Sequence, residues 1–397
     1  MHTHQKKWFG AEMRLISVIL FIVEFVRGAV LVSLLPIYGA KSLGLAPDVI
    51  GVAISAHYIT DTLLKMAIGY LLDRFSVRLV VQTGLIISLA GVYLLQFSDL
   101  PWMFIGSAAL YGIGMSPIWI VCLTKVSEQQ RGTQMGLLYT IWMVGLGSGP
   151  IVCNILLDYS VSFTYQLLVW LSVLACLLTF FMRKGKAVTL QQLPLREQFA
   201  VLRARLGHMK LLLPGMILQT TGASMLVPIL PSFAESELGL SGTQYSILLT
   251  VGGICAAGGL MPMGRLSDKL GGRKWFLVAG FGAFAFGLYM LAWGLSFWYC
   301  LLIAIALGLS YAAVLPAWNA LLATYVPPKQ EGLGWGILST FEGIGVMIGP
   351  VAGGFIAAWN GETAVFWVSA VLFGLIGAFY LWFPFQAFAA GGDATNK

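Results

Sequence analysis

The sequence predicts an all-α polytopic membrane protein in which twelve transmembrane helices form two repeated halves of six. Three observations predict this fold: the composition, the number and length of the apolar segments, and an internal repeat. Of the 397 residues, 58% are hydrophobic and 10% are charged, and the mean hydropathy is +0.86. A soluble domain carries about 25% charged residues, so this composition indicates a surface that faces lipid.

Twelve apolar segments have the length of about 20 residues that a helix needs to cross a bilayer. We place them at 14–38, 48–72, 78–97, 101–125, 132–157, 163–182, 210–234, 242–266, 274–294, 297–325, 331–358 and 362–386. The first is longer than the apolar core of a signal peptide and contains Glu24 and Arg27, which predicts a retained helix. The polar stretch after the sixth segment predicts an N-terminal six-helix bundle (1–182), a cytoplasmic linker (183–209) and a C-terminal six-helix bundle (210–397).

The basic residues predict the orientation. All Lys and Arg residues except Arg27, Lys41 and Lys65, that is 20 of 23, fall in the loops and termini on one side of the predicted membrane. Because basic residues gather on the cytoplasmic side, we predict a multi-pass protein of the bacterial inner membrane with both termini in the cytoplasm. These residues lie in short tethers, not on one polar face, which argues against nucleic-acid binding despite a pI of about 9.1.

The two halves repeat each other at a nearly constant offset. Shifts of 195, 199 and 200 residues align three pairs of motifs: Leu34-Leu35-Pro36 with Ile229-Leu230-Pro231, Pro117-Ile118-Trp119 with Pro316-Ala317-Trp318, and Gly145…Gly149-Pro150 with Gly345…Gly349-Pro350. Parallel repeats of six helices are typical of transporters that hold a substrate between their halves near the bilayer midplane. The repeat therefore predicts a transporter fold.

Another repeated motif, Gly-x-x-x-Asp-Arg/Lys, lies at the cytoplasmic ends of the second and eighth segments. Its two copies contain Gly69, Asp73, Arg74, Arg78 and Gly264, Asp268, Lys269, Arg273. The motif resembles the signature loop of the major facilitator superfamily, although the first copy departs from it at Ser76 and Val77. The resemblance implies a charged gating latch that opens and closes with alternating access. The alternative is a plain cytoplasmic turn with basic anchors.

Charged side chains inside membrane helices are costly and are kept mainly for function or for structural pairing. Away from the ends of the predicted helices, the charged side chains and the one histidine are Glu24, Arg27, His57, Asp61, Lys65 and Glu342. The first two are three residues apart on one helix face, and His57, Asp61 and Lys65 form one stripe at i, i+4 and i+8. We predict that Glu24, Arg27, His57 and Asp61 form one polar, substrate-binding pocket. Glu342 either faces the cavity or bonds to a neighbouring helix.

The second half lacks these charges. At an offset of 195, the partners of Glu24, Arg27, His57, Asp61 and Lys65 are Gln219, Gly222, Gly252, Ala256 and Leu260. A polar half-cavity opposite an apolar one favours a lipid or another amphiphile as the substrate. Trp119, Tyr139 and Trp142 add aromatic faces that suit stacking on sugar rings, and the alternative is that they face lipid.

Motifs from the first to the eleventh segment are similar to those of the bacterial lipoteichoic-acid glycolipid flippases. They are Glu24-Phe25-x-Arg27-Gly28, Ser55-x-His57-x-x-x-Asp61, Ser116-Pro117-Ile118-Trp119, Leu226-Val227-Pro228-Ile229-Leu230-Pro231, Leu315-Pro316-Ala317-Trp318-Asn319 and Met347-Ile348-Gly349-Pro350. The resemblance implies proton-coupled movement of a diglucosyl-diacylglycerol anchor lipid from the inner to the outer leaflet. It also implies that the acids and the arginine of the first two helices surround the sugar headgroup. We expect departures from the family pattern at Lys65 and Glu342.

A proton-driven carrier needs a group that changes its charge during the cycle, and a carboxylate in a low-dielectric site can do so. Asp61 and Glu24 are the candidates, with Glu342 as a third. We prefer Asp61, because His57 and Lys65 each lie one turn away and form a relay along the helix. The alternative is a static Asp61–Lys65 pair that only fixes the second helix.

A drug–proton antiporter is the main alternative function. The supporting motif, Gly345-x-x-x-Gly349-Pro350-x-x-Gly353-Gly354, falls in the eleventh segment instead of the fifth. In the fifth segment, Cys153 and Asn154 interrupt the same pattern. Small residues four positions apart also serve close helix packing, so the motif alone does not favour drug efflux.

An enzyme is not predicted. Three of the four histidines lie in the polar flanks, and Gly145-x-Gly147-x-Gly149 resembles a dinucleotide loop only superficially because no strand precedes it. The five cysteines show no paired spacing. We therefore expect no metal and no cofactor, and a monomer whose partners are an amphiphilic substrate and protons.

Overall fold

The computed structural model describes residues 11–124, 131–183, 212–270, 273–323 and 331–382, and no strand occurs among them. The helices of the first half are α1 (Ala11–Ala29), α2 (Pro47–Arg74), α3 (Val77–Leu94), α4 (Pro101–Ile113), α5 (Ser116–Thr124), α6 (Arg131–Leu157) and α7 (Val161–Leu178). Those of the second half are α8 (Leu213–Ser224), α9 (Leu230–Ser236), α10 (Gly242–Leu270), α11 (Arg273–Leu291), α12 (Phe297–Ala323), α13 (Glu331–Asn360) and α14 (Glu362–Trp382). Single 3₁₀ turns follow α3 and α7, at Leu95–Phe97 and Thr179–Phe181.

Each of the twelve predicted segments is helical in the described part of the chain, and two of them are broken. The fourth is divided into α4 and α5, and the seventh into α8 and α9. Pro117 and Pro228 follow the last residues of α4 and α8 by four positions, and proline has no N–H to donate to the carbonyl at i−4. The sequence analysis did not predict these two breaks.

Ten of the twelve segments, counted over the described residues, are long and apolar enough to cross a membrane. The two others are α2, which carries His57 and Asp61, and the broken pair α8–α9. The all-α polytopic fold predicted from the sequence is therefore confirmed.

Helix α1 continues beyond Ala29 in a changed geometry. Val30–Leu34 and Tyr38–Ser42 are π-helical, and Leu35–Ile37 between them is an α-turn containing Pro36. In a π-helix the N–H groups bond to the carbonyl five residues earlier, which allows one extra residue in the turn.

The chain forms two compact units. One contains α1, α3–α7 and α2 from Ala56 onward, and the other contains α8–α14 together with residues 46–55. In the second unit, the first turns of α2 pack against α13, where the N–H of Val351 donates to the Ser55 Oγ over 3.2 Å. The predicted linker falls almost wholly in residues 184–211, outside the described residues, so the predicted domain boundaries stay a prediction.

Each unit has its own core. In the second unit, Phe281 stacks on Phe373 and Tyr380 at centroid distances of 6.2 and 6.1 Å. In the first unit, the Tyr165 hydroxyl donates to the carbonyl oxygens of Val92 and Tyr93 at 3.0 and 2.8 Å. These contacts join α11 to α14 and α3 to α7.

Close helix contacts give the register of the repeat. A Cβ atom added to Gly145 on α6 would lie 3.2 Å from the Cβ of Glu24. At the repeat position Gly345 on α13, the nearest side chain is that of Thr220. Because Thr220 is 196 residues after Glu24, the predicted pairing of Glu24 with Gln219 is wrong by one residue.

The π-helical stretch explains this error. Gly149 faces the nitrogen of Ala29, and its repeat partner Gly349 faces the nitrogen of Met225, so Ala29 and Met225 are equivalent at an offset of 196. Five residues later, the motif alignment pairs Leu34 with Ile229 at an offset of 195. The first half thus holds one more residue between these points, where its chain forms the π-helix of Val30–Leu34.

Candidate functional site

Three charged side chains meet inside the first unit. Arg27 on α1 donates from Nη2 to the Asp61 Oδ2 on α2 over 3.2 Å, and its Nη1 lies 3.6 Å from the Glu24 Oε1. The side chains of Glu24 and Asp61 are each 2% exposed, and that of Arg27 is 16% exposed. One guanidinium is therefore shared between two buried carboxylates, and these three groups carry excess negative charge when all are ionised.

Glycines on α6 allow α1 to approach closely at this level. A side chain at Gly149 would clash with the Phe25 carbonyl, and a side chain at Gly145 would lie 2.9 Å from the Phe21 carbonyl oxygen. Small residues four positions apart bring two membrane helices into backbone contact. This packing fixes the part of α1 that carries Glu24 and Arg27.

His57 lies one turn before Asp61 and is fully buried against α4. Its ring centroid is 4.9 Å from that of Tyr111. The Thr60 Oγ1 donates to the Ala109 carbonyl oxygen over 2.9 Å, and any side chain at Gly112 would clash with the His57 carbonyl. The structure thus brings together Glu24, Arg27 and Asp61, and packs the His57 ring on the neighbouring helix.

The sequence analysis missed two aromatic residues beside the charged cluster. The Arg27 Cζ lies 5.9 Å from the ring centroid of Tyr58, within cation–π range. Tyr111 contacts His57, as described above. No spacing distinguishes these two among the 14 tyrosines of the chain, so only the packing of α1, α2 and α4 reveals them.

The predicted aromatic residues form one cluster in the first unit. The Trp119 ring on α5 lies 5.2 Å from Tyr139 and 6.3 Å from Trp142, both on α6. Tyr139 is 51% exposed, and the two tryptophans are half-buried. Trp142 is one helical turn along α6 from Gly145, the residue that faces Glu24.

Glu342, the remaining predicted acid, lies in the second unit. Its Oε1 accepts a hydrogen bond of 3.2 Å from the Trp318 Nε1 on α12. Of the two positions considered for this residue, the structure thus gives it a bond to a neighbouring helix. The side chain of Lys65 lies outside the part of the chain that the structure describes.

Comparison with known proteins accounts for this architecture. The sequence profile of the Major Facilitator Superfamily matches the chain twice, over residues 16–211 and 212–394. The chain belongs to the major facilitator superfamily. The two matches correspond to the two repeated halves found from the sequence, and together with the apolar helices they make this a multi-pass membrane protein.

Several relatives within this superfamily share one name. The chain is 33% identical over 383 residues to the proton-coupled antiporter flippase LtaA of Staphylococcus haemolyticus (strain JCSC1435), and the alignment covers 94% of each protein. It is 30% identical over 370 residues to the LtaA of Staphylococcus aureus (strain USA300), with 92% of this chain and 93% of that protein covered. The resemblance inferred from the motifs is therefore confirmed over nearly the whole chain.

Solved structures support the same fold. The crystal structure of the nucleoside transporter NupG superposes with a TM-score of 0.76, at 14% identity, over 94% of this chain and all of that chain. A D323A mutant of the same transporter gives a TM-score of 0.77 over 93% of this chain and 98% of that one. At this identity the likeness concerns the fold alone.

The two Gly-x-x-x-Asp-Arg/Lys motifs, for which the resemblance implies a gating role, are described in part. The burial of Gly69 and the side chains of Asp73, Asp268 and Arg273 lie outside what the structure describes. Arg74 and Lys269 are exposed near the ends of α2 and α10. Two described features concern the first copy. Ser76, where the motif departs from the family, caps α3 by accepting the N–H of Leu79, and the Arg78 guanidinium lies 5.4 Å from the Phe180 ring. In the second copy, a Cβ atom at Gly264 would make ordinary contact with Pro316 on α12, at 3.6 Å.

Proposed function

We propose that this chain moves a glycolipid of the lipoteichoic-acid anchor type from the inner to the outer leaflet in exchange for protons. The observation that carries this proposal is the position of Arg27, which binds two buried carboxylates in the unit that also contains the aromatic cluster. The names of the LtaA relatives support the same activity.

The charged cluster and the aromatic cluster suit a sugar headgroup. Carboxylate oxygens accept hydrogen bonds from sugar hydroxyls, and a guanidinium donates to hydroxyl and ring oxygens. The Trp119 and Trp142 rings offer apolar faces on which a sugar ring stacks. We propose that the headgroup binds between these two groups, donates from its hydroxyls to the ionised Asp61 and accepts from Arg27, so that it competes with a proton for Asp61.

This competition couples protons to the lipid by exchange. When Asp61 is ionised, it is stabilised by Arg27 and accepts from the headgroup; when Asp61 takes up a proton, the site loses this acceptor and the headgroup is released. Loss of the proton on the other side restores the ion pair and the headgroup site. The cluster therefore binds either the headgroup or a proton on Asp61.

The second unit supplies apolar surface at the equivalent positions. At the corrected offset of 196, Glu24 and Arg27 correspond to Thr220 and Ala223. Asp61, which follows the π-helical stretch, keeps the offset of 195 and corresponds to Ala256 on α10. All three equivalents are uncharged, so the predicted asymmetry survives the correction. We propose that the alkyl chains of the lipid follow this apolar side.

Replacing Ala256 with Asp tests this assignment. Ala256 is half-buried, and a charge at the centre of a membrane helix costs about 2.5–3.5 kcal/mol. We expect lipid flipping to fall at least about tenfold, since 1.4 kcal/mol already corresponds to a factor of ten, while the variant still folds in detergent. Ala256→Val, which adds volume without charge, is the matched control and should retain most of the activity. Full activity of Ala256→Asp would mean that no alkyl chain passes this residue.

The drug–proton antiporter remains the alternative, but its motif has a packing role here. Side chains at Gly345, Gly349 and Gly353 would clash with backbone or side-chain atoms between Ile217 in α8 and Met225, the residue that follows α8. These glycines thus bring α13 against α8. The motif therefore favours close helix contact and adds no support for drug efflux.

Reconstitution separates the two functions. Purified protein in liposomes that contain a fluorescent diglucosyl-diacylglycerol should increase the fraction of label reached by an external quencher, and an imposed pH gradient should accelerate this change. The same vesicles should not expel a cationic dye. Dye efflux without lipid movement would favour the antiporter, and neither activity would leave the proposal without support.

We also propose that the protein lies in the bacterial cell membrane with both termini in the cytoplasm. The support is the one-sided distribution of basic residues, with 20 of 23 on the predicted inner side. We also propose that the protein acts as a monomer, because one chain contains both matched halves.

A further inference from the structure

A buried tryptophan and a carboxyl group of the second unit form a hydrogen bond between two helices. Trp318 on α12 is 1% exposed, and its ring packs edge-on against Phe281 and Tyr380 at 6.5 and 6.1 Å. Its Nε1, the one polar group of the side chain, donates to the Glu342 Oε1 on α13 over 3.2 Å. The indole is therefore fixed by its core contacts, while the carboxyl group is half-buried beside it.

The repeat gives this pair an equivalent in the first unit. Trp318 corresponds to Trp119 at an offset of 199, and Glu342 corresponds to Trp142 at 200. Both pairs are in contact, since the rings of Trp119 and Trp142 lie 6.3 Å apart. The second position of the pair is thus an aromatic residue, Trp142, in the first unit, where we propose that the headgroup binds, and an ionisable residue, Glu342, in the second unit.

Among the side chains that the structure describes around Glu342, none carries a charge that balances a carboxylate. Helix α8 has no titratable residue, α12 presents the neutral Tyr311 within electrostatic range, and α14 presents Tyr380 beside Trp318. Glu362, at the far end of α14, is bound to Ser232. Among the described residues, no Lys, Arg or His pairs with Glu342, and a single indole N–H does not offset the burial of a full charge.

We propose that Glu342 is a second proton-binding site, separate from the Asp61 cluster, and that Trp318 links its occupancy to the contact between α12 and α13. An indole N–H binds an ionised carboxylate about twice as strongly as a neutral acid. Proton loss therefore tightens the contact between the two helices, and proton uptake loosens it. This inference rests on the proposed proton coupling and adds a titrating group in the second unit.

Tryptophan fluorescence tests the inference directly. The difference between the emission of the wild type and that of Trp318→Phe isolates the Trp318 signal, which should change with pH as Glu342 takes up its proton. In Glu342→Gln the amide oxygen still accepts from the indole but does not titrate, so the Trp318 signal should lose this pH dependence. A Trp318 signal that changes with pH equally in wild type and Glu342→Gln would overturn the proposal.

Transport gives a second readout. In liposomes with the fluorescent glycolipid, Glu342→Gln should reduce the acceleration by a pH gradient at least twofold while flipping without a gradient continues. If Asp61→Asn abolishes the response to the gradient and Glu342→Gln leaves it intact, this inference fails and the proposed function stands. If the wild type itself shows no response, the proposed coupling fails, and the fluorescence result then decides alone whether Glu342 binds a proton.

Discussion

Asp61→Asn should abolish the acceleration of lipid flipping by an imposed pH gradient. In the wild type, the Arg27 Nη2 donates to the Asp61 Oδ2 over 3.2 Å. The amide of the variant keeps the size of the carboxyl group and its oxygen still accepts this hydrogen bond, but the amide does not titrate. A gradient of one pH unit supplies about 1.4 kcal/mol per proton, enough for a roughly tenfold bias. We therefore expect equal rates with and without the gradient in the variant, and up to this bias in the wild type.

The control for this variant is Asp99→Asn, which makes the same chemical change on an exposed residue outside the cluster. It should respond to the gradient as the wild type does. Flipping without a gradient should persist in Asp61→Asn, because the headgroup contacts of Arg27 and the aromatic cluster remain. A full response in Asp61→Asn would move the coupling to Glu24, for which Glu24→Gln is the corresponding variant.

The fold could be predicted from the sequence because the bilayer imposes a length on every spanning helix, and the repeat supplies the count twice. The helix breaks could not be predicted in this way. Pro150, Pro262, Pro316 and Pro350 all lie inside continuous helices, whereas helices end before Pro117 and Pro228. The same residue has opposite outcomes because neighbouring helices decide whether the freed carbonyl finds another partner.

The sequence analysis predicted that Glu24, Arg27, His57 and Asp61 share a pocket, because charges inside membrane helices are costly, but it predicted contact partners only within single helices. The spacing of Glu24 and Arg27 indicated their proximity, and the stripe on α2 indicated Lys65 as the partner of Asp61. The structure adds the bond from Arg27 to Asp61, which joins two helices and has no signal in local spacing. The Trp318–Glu342 bond escaped prediction for the same reason.

Arg27→Ala should reduce flipping more strongly than it reduces stability. Removing one partner of a buried charge pair costs about 2–5 kcal/mol, and here the loss falls on the group that binds both the carboxylates and the headgroup. We expect the flipping rate to fall at least about thirtyfold, the factor that 2 kcal/mol corresponds to. Stability should fall less, because the two carboxylates that remain can take up protons instead of staying charged in the apolar interior.

Three further variants show whether geometry or charge is responsible. Arg27→Lys keeps the charge but has one nitrogen where Arg27 uses two, one towards each carboxylate, so it should recover stability while flipping stays impaired. Arg183→Ala is the matched control, because its guanidinium is 82% exposed and its pair with Glu12, at 3.9 Å, contributes little. The double variant Arg27→Ala with Asp61→Asn removes both ends of the bond. It should be more stable than Arg27→Ala alone, since no unpaired Asp61 carboxylate remains, yet it should flip lipid no faster. If the double variant recovered flipping as well as stability, Arg27 would serve only to neutralise Asp61, and the headgroup would have to bind elsewhere in the first unit.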